Sequence, residues 1–164
     1  NTSGISNFPE GQYDMVRLGI GLYGVSNDAE EQKYLENVST LKSVISQIRT
    51  VPAGDSVGYG RRFMAAKPTV VATIPIGYAD GISRLWGNGS GYVTVNKQKA
   101  IILGSVCMDM LMVDVTGIDC SEGDDVIVFG ESPTVIEIAE KTQTIPYEIL
   151  TSISQRVKRV FYRE

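Results

Sequence analysis

From Leu41 onward the sequence is cut into short runs rich in Val, Ile and Thr by turns that carry Gly or Pro, and this punctuation restricts the fold more than any other feature. Runs of that length and composition suit paired strands. The predicted strands are Leu41–Val51, Thr69–Pro75, Gly91–Val95, Lys99–Ile102, Val106–Val115 and Asp125–Phe129, which make residues 41–164 a mainly β domain. Two short helices follow. Thr134 with Glu137 three residues later is a capping box, and Pro146 suits the first turn of the second helix. RVKRVFYRE predicts a final strand with a solvated basic face.

The chain before Leu41 is different. FPEGQYDMVRLGIGLYG turns at Pro9 and Gly11 and enters a short apolar segment, Met15 to Leu18, predicting a strand that runs into a glycine loop. DAEEQKYLEN, Asp28 to Asn37, is polar and acidic and predicts a linker within residues 26–40. The sequence opens at Asn1 without a methionine, as an excised piece would.

Composition removes several function classes. At 164 residues the chain is one ordinary domain, or a domain plus a fragment. A net charge of −4 argues against nucleic acid or an anionic membrane as the main partner. No apolar run approaches the length of a membrane span, and Cys107 and Cys120 alone fit a reduced, cytoplasmic protein. There is no histidine. Serine–histidine and cysteine–histidine nucleophiles are thereby excluded from this chain, as are the usual zinc sites, and no metal is expected. Acid–base chemistry falls to tyrosine, lysine, carboxylates or cysteine, or is shared with another polypeptide.

Several short motifs carry chemistry. VGYGRRF, Val57 to Phe63, sets Tyr59 between two glycines, where the backbone bends sharply or passes close to something. A turn tyrosine at a core edge is the plain reading, and a phenol presented to a site is the functional one. GIGLYG, Gly19 to Gly24, matches a dinucleotide fingerprint in form, but VSNDAEEQ after it lacks the apolar helical period such a site needs. Its backbone N–H groups could still serve a single phosphate. In VCMDM, Cys107 reads as a buried strand cysteine. Asp109 must face water or find a partner, because a buried, unpaired carboxylate is costly. IPIGYADG ends an apolar strand with Tyr78 at the turn, and Arg61, Arg62 and Arg84 read as surface residues.

MVRLGIGLYG, SVGYG, IPIGYADG, VCMDM and IPYEI occur in the order and spacing of the alanine racemase family, and the chain resembles the C-terminal part of that family nearly end to end. The resemblance implies the C-terminal β domain of a pyridoxal-phosphate enzyme, preceded by the last segment of a (β/α)8 barrel in residues 1–25. It implies that Tyr59 is the base on one face of the substrate's α-carbon, with a lysine of the barrel, absent here, holding the cofactor and serving the other face. Arg17 matches the arginine on the cofactor's pyridine nitrogen. Gly19, Ile20, Thr2 and Tyr147 match phosphate contacts. Tyr78 matches a substrate-entrance tyrosine, Met108 the backbone amide that holds the substrate carboxylate, and Asp109 sits beside it. Leu18 and Met110 depart from the family's common proline and glutamine.

The resemblance further implies a head-to-tail homodimer making D-alanine for peptidoglycan, and a fragment inactive by itself. Serine or another small amino acid as substrate remains open, as does a non-catalytic β module for binding or dimerisation; fold alone does not decide chemistry.

Overall fold

The computed structural model describes residues 1–26 and 28–162. Its strands are β1 (Leu41–Val44), β2 (Gln47–Val51), β3 (Ser56–Val57), β4 (Phe63–Met64), β5 (Thr69–Ile74), β6 (Tyr92–Val95), β7 (Gln98–Leu103), β8 (Leu111–Asp114) and β9 (Asp125–Phe129). The α-helices are α1 (Thr2–Asn7), α2 (Ala29–Gln32), α3 (Val135–Lys141) and α4 (Pro146–Ser152). Seven strands form one sheet in the order β1-β9-β6-β7-β8-β5-β2, and β3 and β4 form a separate hairpin. Every pairing is antiparallel.

The predicted strand Leu41–Val51 is two strands. Ile45 donates its N–H to Asp124 O at 3.0 Å, and Ser46 donates to Thr73 O at 2.9 Å. Two adjacent residues thus serve opposite ends of the sheet order, because β1 pairs with β9 and β2 with β5. The sheet therefore curls until its first and last strands meet at Ile45–Ser46.

Alternation along the strands fills two cores. Ala72 and Ile74 of β5, Ala100 and Ile102 of β7, and Leu111 and Val113 of β8 enter the main core. That core is closed by Trp86 and by Ile138 and Ile149 from α3 and α4. The intervening residues Val71, Leu103 and Met112 point to the other face and build a smaller core with Val57, Ala65 and Phe63. α3 starts where the sequence places it. Thr134 Oγ1 accepts from Glu137 N at 3.1 Å, and Glu137 Oε2 accepts from Thr134 N at 2.8 Å.

Two expectations are corrected, and one helix is additional. Met15 to Leu18 is irregular, because no described segment lies alongside to take its backbone N–H and C=O groups, and the residues stay exposed. α1, capped by the Asn1 side chain accepting from Gly4 N, went unpredicted. Residues 156–162 form no strand: Arg159 folds the tail back, donating to Ile153 O, Ser154 O and Val157 O at 2.9, 3.2 and 3.1 Å. Residues 163 and 164 of that predicted strand lie outside the described residues. The acidic segment is ordered locally, with Asp28 capping α2 and Gln32 Nε2 donating to Gly24 O at 3.0 Å. Among the described residues no helix is long and apolar enough to cross a membrane.

Candidate active site

Tyr59 stands at the tip of the β3–β4 hairpin. Val57 and Phe63 are cross-strand partners that anchor the hairpin in the smaller core. Between them the chain reverses through left-handed backbone at Gly58, Gly60 and Arg61, with φ of 76°, 69° and 49°. The glycines adopt this without the Cβ clash that strains other residues. The phenol is thrown outward and is 78% exposed. A tyrosine closing a core edge would be covered, and Tyr59 is not.

Tyr78 follows β5 on a tight turn, residues 77–81, laid against the loop that precedes β8. Tyr78 N donates to Cys107 O at 2.9 Å and Ala79 N to Met108 O at 3.0 Å. The approach is close enough that a Cβ on Gly77 would lie 2.3 Å from Cys107 O. The loop is itself tight, with Cys107 N donating to Met110 O at 2.9 Å. Because of this loop, the predicted strand Val106–Val115 only becomes a ladder at Leu111. Among the described residues Met108 N–H has no protein acceptor. Tyr59, Tyr78, Arg84, Met108 and Asp109 line one cleft of about 470 Å³. Cys107 is buried, as the sequence suggests, with Sγ 3.6 Å from Ser105 O.

Asp109 does find a partner. Arg156 Nη2 lies 2.6 Å from Asp109 Oδ1, and Arg156 Nε lies 2.7 Å from Asp80 Oδ1. The other Asp80 oxygen accepts from Gly77 N at 2.8 Å. Burial by itself would raise the Asp80 carboxyl, but the Arg156 and Gly77 hydrogen bonds outweigh it and hold the group below the ordinary carboxylate range. The two carboxylates push the Arg156 guanidinium further up. Sequence reasoning missed Asp80 and Arg156. The Gly-Tyr-Ala-Asp-Gly turn offered a signal for Asp80, as the fourth residue of a glycine-bounded turn. Nothing local marked Arg156, which is 76 positions away.

The residues matched to the cofactor lie elsewhere. Thr2 is buried at the start of α1, where its Oγ1 accepts from Gly19 N at 3.2 Å and Gly21 N at 3.3 Å. A Cβ on Gly21 would sit 2.9 Å from Thr2 Cγ2, so the glycine is what admits the threonine. Ile20 N–H, between those two amides, has no acceptor among the described residues. A threonine hydroxyl hydrogen and a free backbone N–H side by side are donors suited to a phosphate oxygen. Arg17 stands exposed just before this turn. Tyr147 occupies the first turn of α4, and Leu150 of the same helix shares a cavity wall with Tyr23, which ends the Ile20–Tyr23 turn. The structure thus sorts the named residues into two groups, one around Tyr59 and one around Thr2, with α4 docked near the second.

Residues 38–161 match the family model for the alanine racemase C-terminal domain. The chain belongs to the alanine racemase family. It is similar to an alanine racemase of Desulfosudis oleivorans, 39% identical over 98% of this chain and 43% of that protein. The alanine racemase of Streptomyces coelicolor A3(2) superposes over 100% of this chain and 45% of its own, at a TM-score of 0.92 and 34% identity. The alanine racemase of Bartonella henselae, solved with covalently bound pyridoxal phosphate, matches 91% of this chain and 42% of its own, at a TM-score of 0.83 and 38% identity. The chain spans less than half the length of these relatives, and its mainly β architecture is that of the family's C-terminal domain.

Proposed function

We propose that this chain is the C-terminal part of a pyridoxal-phosphate-dependent alanine racemase, contributing the tyrosine that exchanges a proton at the substrate's α-carbon. One observation carries the reading: an exposed phenol, Tyr59, shares a cleft with the unpartnered Met108 N–H, at the end of a domain whose relatives bear that name. In the role assigned here Met108 N–H donates to the substrate carboxylate, Asp109 and Tyr78 bound the same space, and Tyr59 Oη takes or returns the α-proton. Racemisation needs a proton carrier on each side of the α-carbon. Tyr59 serves one side; a lysine in the barrel, which is not in this chain, serves the other.

Thr2, Gly19, Ile20 and Tyr147 would hold the cofactor's phosphate, and Arg17 would face its pyridine nitrogen. The fit rests on the Thr2 hydroxyl and the free Ile20 N–H meeting at one turn. When bound, pyridoxal phosphate supplies an electron sink for negative charge at the α-carbon. Tyr59 is too exposed to work on a site built by this chain alone. The reading includes, as the family resemblance implies, a head-to-tail homodimer in which Tyr59, Tyr78, Met108 and Asp109 face the partner's barrel, while Arg17 and Tyr147 serve their own. Residues 1–25 are assigned to the barrel's end, 26–40 to a linker and 41–164 to the β domain. The assigned cellular role is cytoplasmic supply of D-alanine for peptidoglycan.

The test is Tyr59→Phe in the full-length protein, assayed with L- and D-alanine. Loss of the phenolic oxygen is expected to lower turnover by about 10²–10⁴-fold, with cofactor still bound. Unchanged kinetics in both directions would overturn the assignment.

A further inference from the structure

The peptide joining Cys107 to Met108 is planar, and its C=O and N–H point in opposite directions. Whatever holds Cys107 O therefore aims Met108 N–H. The holder is the backbone N–H of Tyr78, at 2.9 Å, and the neighbouring Ala79 N–H fixes Met108 O at 3.0 Å. The Tyr78 turn is held in its own shape by Asp80, whose Oδ2 accepts from Gly77 N at 2.8 Å. Arg156 then joins the two sides, with Nε on Asp80 at 2.7 Å and Nη2 on Asp109 at 2.6 Å. Ser154 N also donates to Asp80 O at 3.0 Å, so the tail leaving α4 lies along the turn.

We propose that Arg156 is a positioning residue for substrate carboxylate recognition: by clamping Asp80 of the Tyr78 turn to Asp109, it fixes the direction of the Met108 backbone N–H. The proposal rests on the assignment of Met108 N–H to the substrate carboxylate. Arg156 does not touch the substrate in this arrangement. Its planar guanidinium reaches two carboxylates at once from fixed directions, and a lysine ammonium, a compact charge without that fork, holds them less rigidly. α4 carries Tyr147 in its first turn, and the chain leaving the helix runs through Ser154 to Arg156 in this clamp.

The experiment uses the full-length protein as wild type, Arg156→Met, Arg156→Lys and Asp109→Asn. Propionate, which keeps alanine's carboxylate and methyl group but has no amine, reports carboxylate binding without turnover. Arg156→Met is expected to weaken propionate binding and raise the alanine KM by about tenfold or more, the scale of one misaligned hydrogen bond to a charged group. The turnover number should stay within about threefold, with Arg156→Lys intermediate. Asp109→Asn removes the charge and weakens only the outer arm of the clamp, where the Asp109 side chain is 54% exposed, and should shift both constants in the same direction if Arg156→Met fails to fold.

Selective ¹⁵N labelling of methionine gives a readout independent of racemisation. The Met108 amide resonance should move or broaden in Arg156→Met and partly return in Arg156→Lys. The amides of Met15, Met64 and Met112, outside the loop, report an intact fold. A wild type that neither racemises alanine nor binds propionate, with Met108 still responding to Arg156, would sink the functional reading and leave the clamp standing. A Met108 amide and a propionate affinity both indifferent to Arg156→Met and Asp109→Asn would overturn the clamp.

Discussion

Gly77→Ala isolates the contact on which the carboxylate loop depends. Gly77 has φ of −151° and ψ of −161°, extended backbone that alanine adopts freely. The cost is therefore contact and not conformation. The new methyl would lie 2.3 Å from Cys107 O and 2.4 Å from Met108 O. Ordinary contact distances are longer by roughly 1 Å or more, so the turn and the loop must separate by about that amount. Such a shift takes the Tyr78–Cys107 and Ala79–Met108 bonds, now 2.9 and 3.0 Å, out of hydrogen-bond range. Each net bond is worth about 0.5–1.5 kcal/mol, and a donor or acceptor left unpaired in a buried place costs about 1–3 kcal/mol. The expected destabilisation is roughly 2–5 kcal/mol. Urea unfolding of the 164-residue chain reads it through the single tryptophan, Trp86, which is 1% exposed. Gly11→Ala is the control, because its methyl would meet nothing nearer than Phe8 Cβ at 3.9 Å. A Gly77→Ala midpoint equal to that of Gly11→Ala would refute the reasoning.

Thr134→Ala removes the capping oxygen of α3 and should cost about 1 kcal/mol of stability, measured by the same unfolding; no change would mean that Glu137 caps the helix without it. Asp80, held below the ordinary carboxylate range by Arg156 and Gly77 despite its burial, stabilises the fold fully above the unfolded value near pH ~4 and progressively less as pH falls through its lower folded value. The stability lead of wild type over Asp80→Asn should accordingly be constant from about pH 8 to 5 and shrink in more acid solution, and a lead that grows on acidification would contradict the sign. In the full-length protein, Tyr59→Phe and a mutant of the barrel's cofactor lysine should each be inactive, yet regain activity when co-refolded, because one site of the mixed dimer receives an intact copy of both groups. Confirmed mixed dimers that stay inactive would place Tyr59 in its own subunit's site.

What the sequence made legible was local or periodic. Val and Ile alternation marked β5, β7 and β9, and the Thr134–Glu137 spacing marked α3. Features set by distant partners stayed hidden. Leu41–Val51 contains no Gly or Pro to mark a break, and it divides at Ile45–Ser46 because its halves pair at opposite ends of the sheet. β3 and β4 have two residues each, too few to show alternation. Met15 to Leu18 has the composition of a strand but no neighbour to pair with among the described residues. For the site, glycine-flanked Tyr59 and the Cys-Met-Asp loop announced themselves, whereas the solvated basic tail became a clamp through Arg156. Ion pairs between residues far apart in the chain leave no trace in either one's surroundings.

The meeting of the first and last strands at Ile45–Ser46 also sets a timetable for synthesis. β2 can pair with β5 soon after both have left the ribosome, but β1 has no partner until β9 is made. The Lys42–Asp125 contact spans 83 residues. At about 5–20 residues per second this is a delay of roughly 4–17 s. Throughout it Leu41, 6% exposed once folded, lacks its cross-strand partner Phe129. Nascent chains arrested before Asp125 should therefore bind a holding chaperone, and those released beyond Phe129 should not.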